Sequence, residues 1–293
     1  MAYERLDEFA APARATPDLW RIGAVLALMF VTVMVLQNLV FIFVAGLGGP
    51  DAVDAIYDAE DWGAGRTLAA LFTQGLFALG LVVALRAVHW RGFLSLFGPG
   101  VHAVGDFFRV FYWLAPLYLA ALLVLPAEYD LVANEMMPTR RWLLYLPLAL
   151  AAVVVQAGTE ELFFRGYLTQ QIAAGTREGN WAWMAVPSIL FASLHWTAGA
   201  GENALWFCLW ALAFGLAAAD LTARAGNLGP ALALHIVNNV IGLLVVSLPG
   251  PASGLALYHT PFARDAGIIA GLMPVEFGLL LVAWLAARVA IRA

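Results

Sequence analysis

The 293-residue chain has no lysine, a single cysteine and few charges of either sign. Its fifteen basic residues are all arginine, which excludes a P-loop lysine, a Ser–Lys dyad and a Schiff-base lysine. Cys208 alone cannot form an intrachain disulfide or a CxxC redox pair, and it reads as a small apolar residue within a helix. Charged residues make up 12% of the chain, where soluble domains carry about a quarter. The net charge of −5 offers no basic footprint, so no nucleic-acid partner is expected. What fills the chain is apolar, with 63% hydrophobic residues and a mean hydropathy of +0.83.

Apolar runs recur that are long enough to cross a hydrocarbon core of ~30 Å as helices. The expected fold is therefore all-α, a polytopic membrane helical bundle of about eight transmembrane helices. The candidate spans are Ile22–Leu47, Thr67–Leu85, Phe107–Leu125, Trp142–Ala157, Trp181–Leu194, Leu205–Ala219, Leu228–Leu248 and Ile268–Ala287. They lack the apolar–polar alternation of barrel strands. No internal repeat and no soluble insert is visible, so residues 1–293 read as a single membrane domain. Arg5, Arg14 and Arg21 precede the first span and Arg288 and Arg292 follow the last, whereas the loop after the first span carries Asp51, Asp54, Asp58, Glu60 and Asp61. The positive-inside rule then places both termini in the cytoplasm. The arginine-only, alanine-rich composition looks like that of a high-GC bacterium, so the bacterial cytoplasmic membrane is the expected location and its lipid bilayer the first partner.

Ionisable groups at membrane depth cost about 2.5–3.5 kcal/mol each on insertion scales, which makes survivors within apolar runs candidates for function. Three clusters qualify. In Gly158-Thr159-Glu160-Glu161-Leu162-Phe163-Phe164-Arg165-Gly166, Glu161 and Arg165 are four apart on one helix face, which leaves Glu160 free. A salt-bridged helix end at the membrane surface is the bland alternative. In Phe191-Ala192-Ser193-Leu194-His195-Trp196, Phe191 and His195 share a face, although a histidine beside a tryptophan can equally be interfacial. His235 and Asn239 are again four apart within an apolar span and project into the same pocket, while Asn238 points elsewhere; interhelical hydrogen bonding is the alternative there. His89, His102 and His259 fall in expected loops and read as solvated. Glu276, inside the last span, is either a pocket-facing polar group or a sign that the span is misplaced.

A carboxylate, two imidazoles and an amide on three helices are the parts of a hydrolytic site. Peptide hydrolysis needs a water deprotonated near neutral pH and donors aimed at the oxyanion. A carboxylate taken partly out of water is a stronger base than one at the surface, so Glu160 could accept the water's proton. His235 and Asn239 would be the oxyanion donors, with His195 positioning the water or protonating the leaving amine.

These residues resemble a known family. EExxxR at Glu160-Glu161-Arg165, FxxxH at Phe191-His195 and HxxxN at His235-Asn239, in this order on successive hydrophobic segments, look like the three motifs of the CPBP family, the CAAX prenyl protease and bacteriocin-processing group also called Abi. The resemblance covers about Trp142 to Leu248; the first 140 residues match only in being membrane helices. It implies an intramembrane endopeptidase with a catalytic core over 142–248 and a membrane-associated protein or peptide as substrate. Glu160 would activate water, supported by Glu161 and Arg165, with His195, His235 and Asn239 completing the site. Cofactor use stays open between none and a divalent metal such as zinc, which Glu160, His195 and His235 would hold with one position left for water.

Other intramembrane proteases fail on inspection. Position 103 is Ala103, so Gly105-Asp106 makes no GxGD motif; Gly250 lies one position too early relative to Ser253 for a rhomboid-like site; no HExxH occurs. The alternatives are a catalytically silent membrane scaffold of the same family and, less favoured for want of repeats, a transporter.

Overall fold

Backbone N–H and C=O groups in a long apolar run have no water to bond, and a helix satisfies them within the segment. The computed structural model describes residues 3–57, 63–124, 126–177 and 179–292; Asp58, Glu60, Asp61 and Leu125 lie outside the described residues. The helices are α1 (Glu4–Ala10), α2 (Trp20–Tyr57), α3 (Ala64–Thr73), α4 (Gly75–His89), α5 (Gly100–Leu122), α6 (Thr139–Glu161), α7 (Thr169–Gly175), α8 (Ala182–Ser193), α9 (Ala204–Ala225), α10 (Gly229–Val240) and α11 (Ile269–Ala290). A helical membrane bundle is what the composition predicts, and the fold is one.

Among the described residues, the expected count of eight is not confirmed by helix length and composition. Five stretches are long and apolar enough to cross a membrane: Trp20–Gly49, Ala64–His89, Thr139–Gly175, Ala198–Ala225 and Ile269–Ala290. The helix α5 is 23 residues long but carries Asp106 and Arg109 in its first half. Two others are too short, because the 12 residues of α8 rise only about 18 Å against a core of ~30 Å. The apolar helix that includes α10 ends at Val245. In the other direction, the expected span Trp142–Ala157 is the middle of a longer run: α6 continues through a π-helical segment, Leu162–Leu168, into α7.

The bundle has two distinguishable ends. At one, Tyr3 stacks edge-on against Trp181 and Trp183 at the start of α8, with ring centroids 5.7 and 5.4 Å away. There Asp220 near the end of α9 accepts from Tyr3 Oη (2.7 Å), Arg224 Nε (2.8 Å) and Trp284 Nε1 (2.9 Å). Replacing Asp220 by Ala would leave donors on α9, α11 and the N-terminal segment unpartnered, with an expected loss of about 2–3 kcal/mol. A lowered unfolding temperature of the detergent-solubilised protein, partly restored in Asp220→Asn, checks this. His89, expected to be solvated, is buried at this same end between Thr16 Oγ1 (2.7 Å) and Tyr167 Oη (3.1 Å). At the other end, a small sheet ties loops together: β1 (Val132–Ala133) pairs antiparallel with β3 (Tyr258–His259), which pairs parallel with β2 (Val246–Ser247). Trp142 Nε1 donates to Leu244 O there at 2.7 Å.

The core lies where α5, α9 and α10 meet, around Val110, Leu114, Phe214 and Leu234. Small residues set the close approaches, as is usual between membrane helices. A Cβ on Gly229 would stand 2.1 Å from Ala103 O, so any larger residue would push α10 off α5.

Candidate functional site

The run α6 to α7 and the helix α10 lie side by side and antiparallel in the chain's order, so a four-residue step along one meets a four-residue step along the other. Glu160 and Glu161 face His235, and one turn away Gln156 faces Asn239. Both helices widen into π-helical turns just past these residues, at Leu162–Leu168 and Ile241–Val245. Such turns often mark functional positions.

Glu161 and Arg165 form the i,i+4 pair that the sequence predicts, with Arg165 Nη1 donating to Glu161 Oε1 at 2.8 Å. Both side chains are 0% exposed, so this is no surface salt bridge. Arg165 Nε and Nη2 have no hydrogen-bond partner among the described residues. Instead, the guanidinium carbon lies 4.5 Å from the ring centroid of Phe191 and 5.9 Å from those of Phe164 and Phe214. Ring faces supply a compensation that water cannot supply here. Phe191 of the FxxxH motif is thus a support for Arg165.

His235, nearly fully buried, joins the two carboxylates. Its Nδ1 is 2.7 Å from Glu161 Oε1 and its Nε2 is 3.5 Å from Glu160 Oε2. Glu161 is paired with Arg165 and so accepts only, which fixes the proton of the neutral ring on Nδ1 and leaves the Nε2 lone pair facing Glu160. Glu160 is left free by the Glu161–Arg165 pair, as expected, and keeps 22% of its side chain exposed. Its Oε2 is buried without a hydrogen-bond partner among the described residues.

Its other oxygen is held by a residue that sequence reasoning missed. Gln156 Nε2 donates to Glu160 Oε1 at 2.7 Å, and Asn239 Nδ2 donates to Gln156 Oε1 at 2.7 Å. Asn238 Nδ2 continues the chain to Asn239 Oδ1, and Tyr118 Oη to Asn238 Oδ1, each at 3.3 Å. An ionised carboxylate at the end of the chain can only accept, so every amide must point its N–H₂ towards Glu160. Asn238, expected to point elsewhere, is the third amide of this chain. The available signal was a lone Gln four residues before Glu160 in an apolar run.

His195 lies apart. Its ring is exposed, Nδ1 donates to Phe191 O at 2.8 Å, and its ring centroid is 4.5 Å from that of Phe191. His195 lies just past the end of α8, which stops at Ser193. Phe191 still separates its ring from Arg165 and His235. Among the described residues no three His, Cys, Asp or Glu side chains gather as a metal site. Glu160 and His235 offer two neighbouring donors, His195 is not a third, and the set does not fit a three-ligand zinc centre. Glu276 does lie in α11 and faces a cavity, bonded to Tyr129 Oη.

Comparison with known proteins agrees with the motifs. The family model described as Type II CAAX prenyl endopeptidase Rce1-like matches residues 142–241, which include all three motifs. The chain is also 25% identical over 245 residues to an uncharacterized protein of Bacillus subtilis, YyaK, covering 80% of each chain. No solved structure matches. The fold class and the site segment therefore define an integral membrane protein with a CAAX-protease-like core. Within it, the segment 142–241 is Rce1-like, as the three motifs indicate.

Proposed function

We propose that this protein is an intramembrane endopeptidase that hydrolyses a peptide bond of a membrane-associated protein or peptide, with 142–248 as its catalytic core. The observation that carries the reading is the placement of Glu160: one oxygen held by Gln156, the other facing a bare imidazole nitrogen 3.5 Å away. Water bound between Glu160 Oε2 and His235 Nε2 would give up a proton to this pair as it attacks the scissile carbonyl. The imidazolium formed on His235 is stabilised from behind by Glu161, and its Nε2–H then becomes a donor to the oxyanion. This refines the sequence expectation, because His235 donates from Nε2 only once it has gained that proton. As the oxyanion collapses and the C–N bond breaks, His235 gives that proton back through Glu160 to the leaving amine, so the pair ends as it began. Asn239 and Gln156 act on Glu160 by orienting it, and the bare Nε2 of His195 is an acceptor at the rim suited to position water or a substrate N–H. The bacterial cytoplasmic membrane, with both termini inside, is the proposed location.

Mapping new protein termini in membranes of the source cells tests this, comparing wild type with Glu160→Gln at equal expression. Specific termini are expected to vanish in the variant. If none changes while the variant behaves like a deletion, the carboxylate serves binding and the protein is a membrane scaffold. For a substrate so identified, Gln156→Leu is expected to lower kcat about 10–100-fold with KM little changed, since it frees Glu160 Oε1 without touching the substrate. A change in KM alone would contradict the orienting role.

A further inference from the structure

Next to the site, and sharing Asn238 and Tyr118 with its amide chain, the bundle forms a half-open cavity of about 330 Å³ between α5, α9, α10 and α11, at the end that carries the small sheet. Its walls are mostly apolar, with Phe207, Ile241 and Leu272 among them, and its inner wall includes Asn238 of the amide chain. The size falls at the lower bound of small-ligand sites, ~300–1,000 Å³.

Two charges line it, and they are not paired with each other. Glu276 is bonded to Tyr129 Oη. Arg264 has no acidic partner within salt-bridge distance among the described residues, and its Nε is buried without a hydrogen-bond partner there. Burial pushes this guanidinium below its usual range, as expected of a cation whose counter-ion is missing. The loop that carries it is held in place, because Asn203 Nδ2 donates to both Arg264 O (3.0 Å) and Ala266 O (2.9 Å). The arrangement is an apolar chamber with a preset cation at its edge.

We propose that this cavity binds a single-chain amphiphile with a carboxylate head, the chain filling the space between α5, α10 and α11 and the head pairing with Arg264. A planar guanidinium fork suits a carboxylate. The volume accommodates one chain and not the two of a phospholipid. A dianionic phosphate head would meet more repulsion from Glu276 than a singly charged carboxylate. The site requires neither Glu160 nor His235.

The test uses the full-length protein in phosphatidylcholine nanodiscs and a diazirine-bearing dodecanoate, with photolabelled peptides mapped by mass spectrometry. Labels are expected on peptides containing 207–210, 238–248 and 264–276, competed by dodecanoate but not by dodecanol. Arg264→Gln is expected to reduce labelling about 10-fold or more. Gly242→Leu, at a cavity-lining position where an added Cβ meets nothing within 4 Å, should block it by filling the chamber. Glu160→Gln should label like wild type, so a failure of the protease reading leaves this result unaffected. Labelling that is spread over lipid-facing helices, is competed equally by dodecanol, or persists in both Arg264→Gln and Gly242→Leu would overturn the proposal. Stronger competition by dodecyl phosphate would overturn the carboxylate assignment.

Discussion

Replacing Arg165 by Met is expected to destabilise the protein by about 3–5 kcal/mol, the cost of stranding one partner of a buried ion pair. Glu161 would keep only its bond to His235, inside a bundle where it has no access to water. The loss also removes the cation from its cage of Phe164, Phe191 and Phe214. Neutralising both partners, Glu161→Gln with Arg165→Met, should recover a large part of the loss, because no unpaired charge then remains. Thermal unfolding in detergent or steric trapping in bicelles measures both effects. A loss below about 1 kcal/mol in Arg165→Met would mean the carboxylate finds another partner.

The second large effect is on turnover. His235→Ala removes the ring that touches both carboxylates, at 2.7 and 3.5 Å. Cleavage is expected to fall about 10³-fold, within the ~10²–10⁴ range that acid–base groups contribute. Stability should change far less than in Arg165→Met, since Glu161 retains Arg165. Added imidazole should restore part of the activity by refilling the space that the ring leaves between the two carboxylates. An active His235→Ala protein, or one that imidazole does not help, would remove His235 from the proton path.

Much of this site is legible in the sequence because its elements obey helical spacing. The four-residue separations of Glu161 from Arg165 and of His235 from Asn239 translate directly into shared faces. Helix ends are less legible: α8 stops after 12 residues. An apolar run does not reveal whether its helix crosses the membrane or stops halfway, because the residues at either stopping point are equally apolar. Gln156 and Tyr118 escaped notice for a different reason. Their partners are 83 and 120 residues away, and no local rule distinguishes a glutamine that meets another helix from one that faces a headgroup. His89 is concealed similarly: its position at a helix end suggests solvent, but the segment near Thr16 folds over it. Long-range polar pairing, more than local helix formation, is what the sequence conceals here.

The most direct test of the central claim, that Glu160 activates water, is hydrolysis in ¹⁸O-labelled water by the purified protein in phosphatidylcholine nanodiscs, using a peptide that spans a mapped cleavage site. Wild type should place one ¹⁸O atom in each new carboxylate, and Glu160→Gln of equal thermal stability should place essentially none over the same time. Undiminished incorporation in Glu160→Gln would contradict the account.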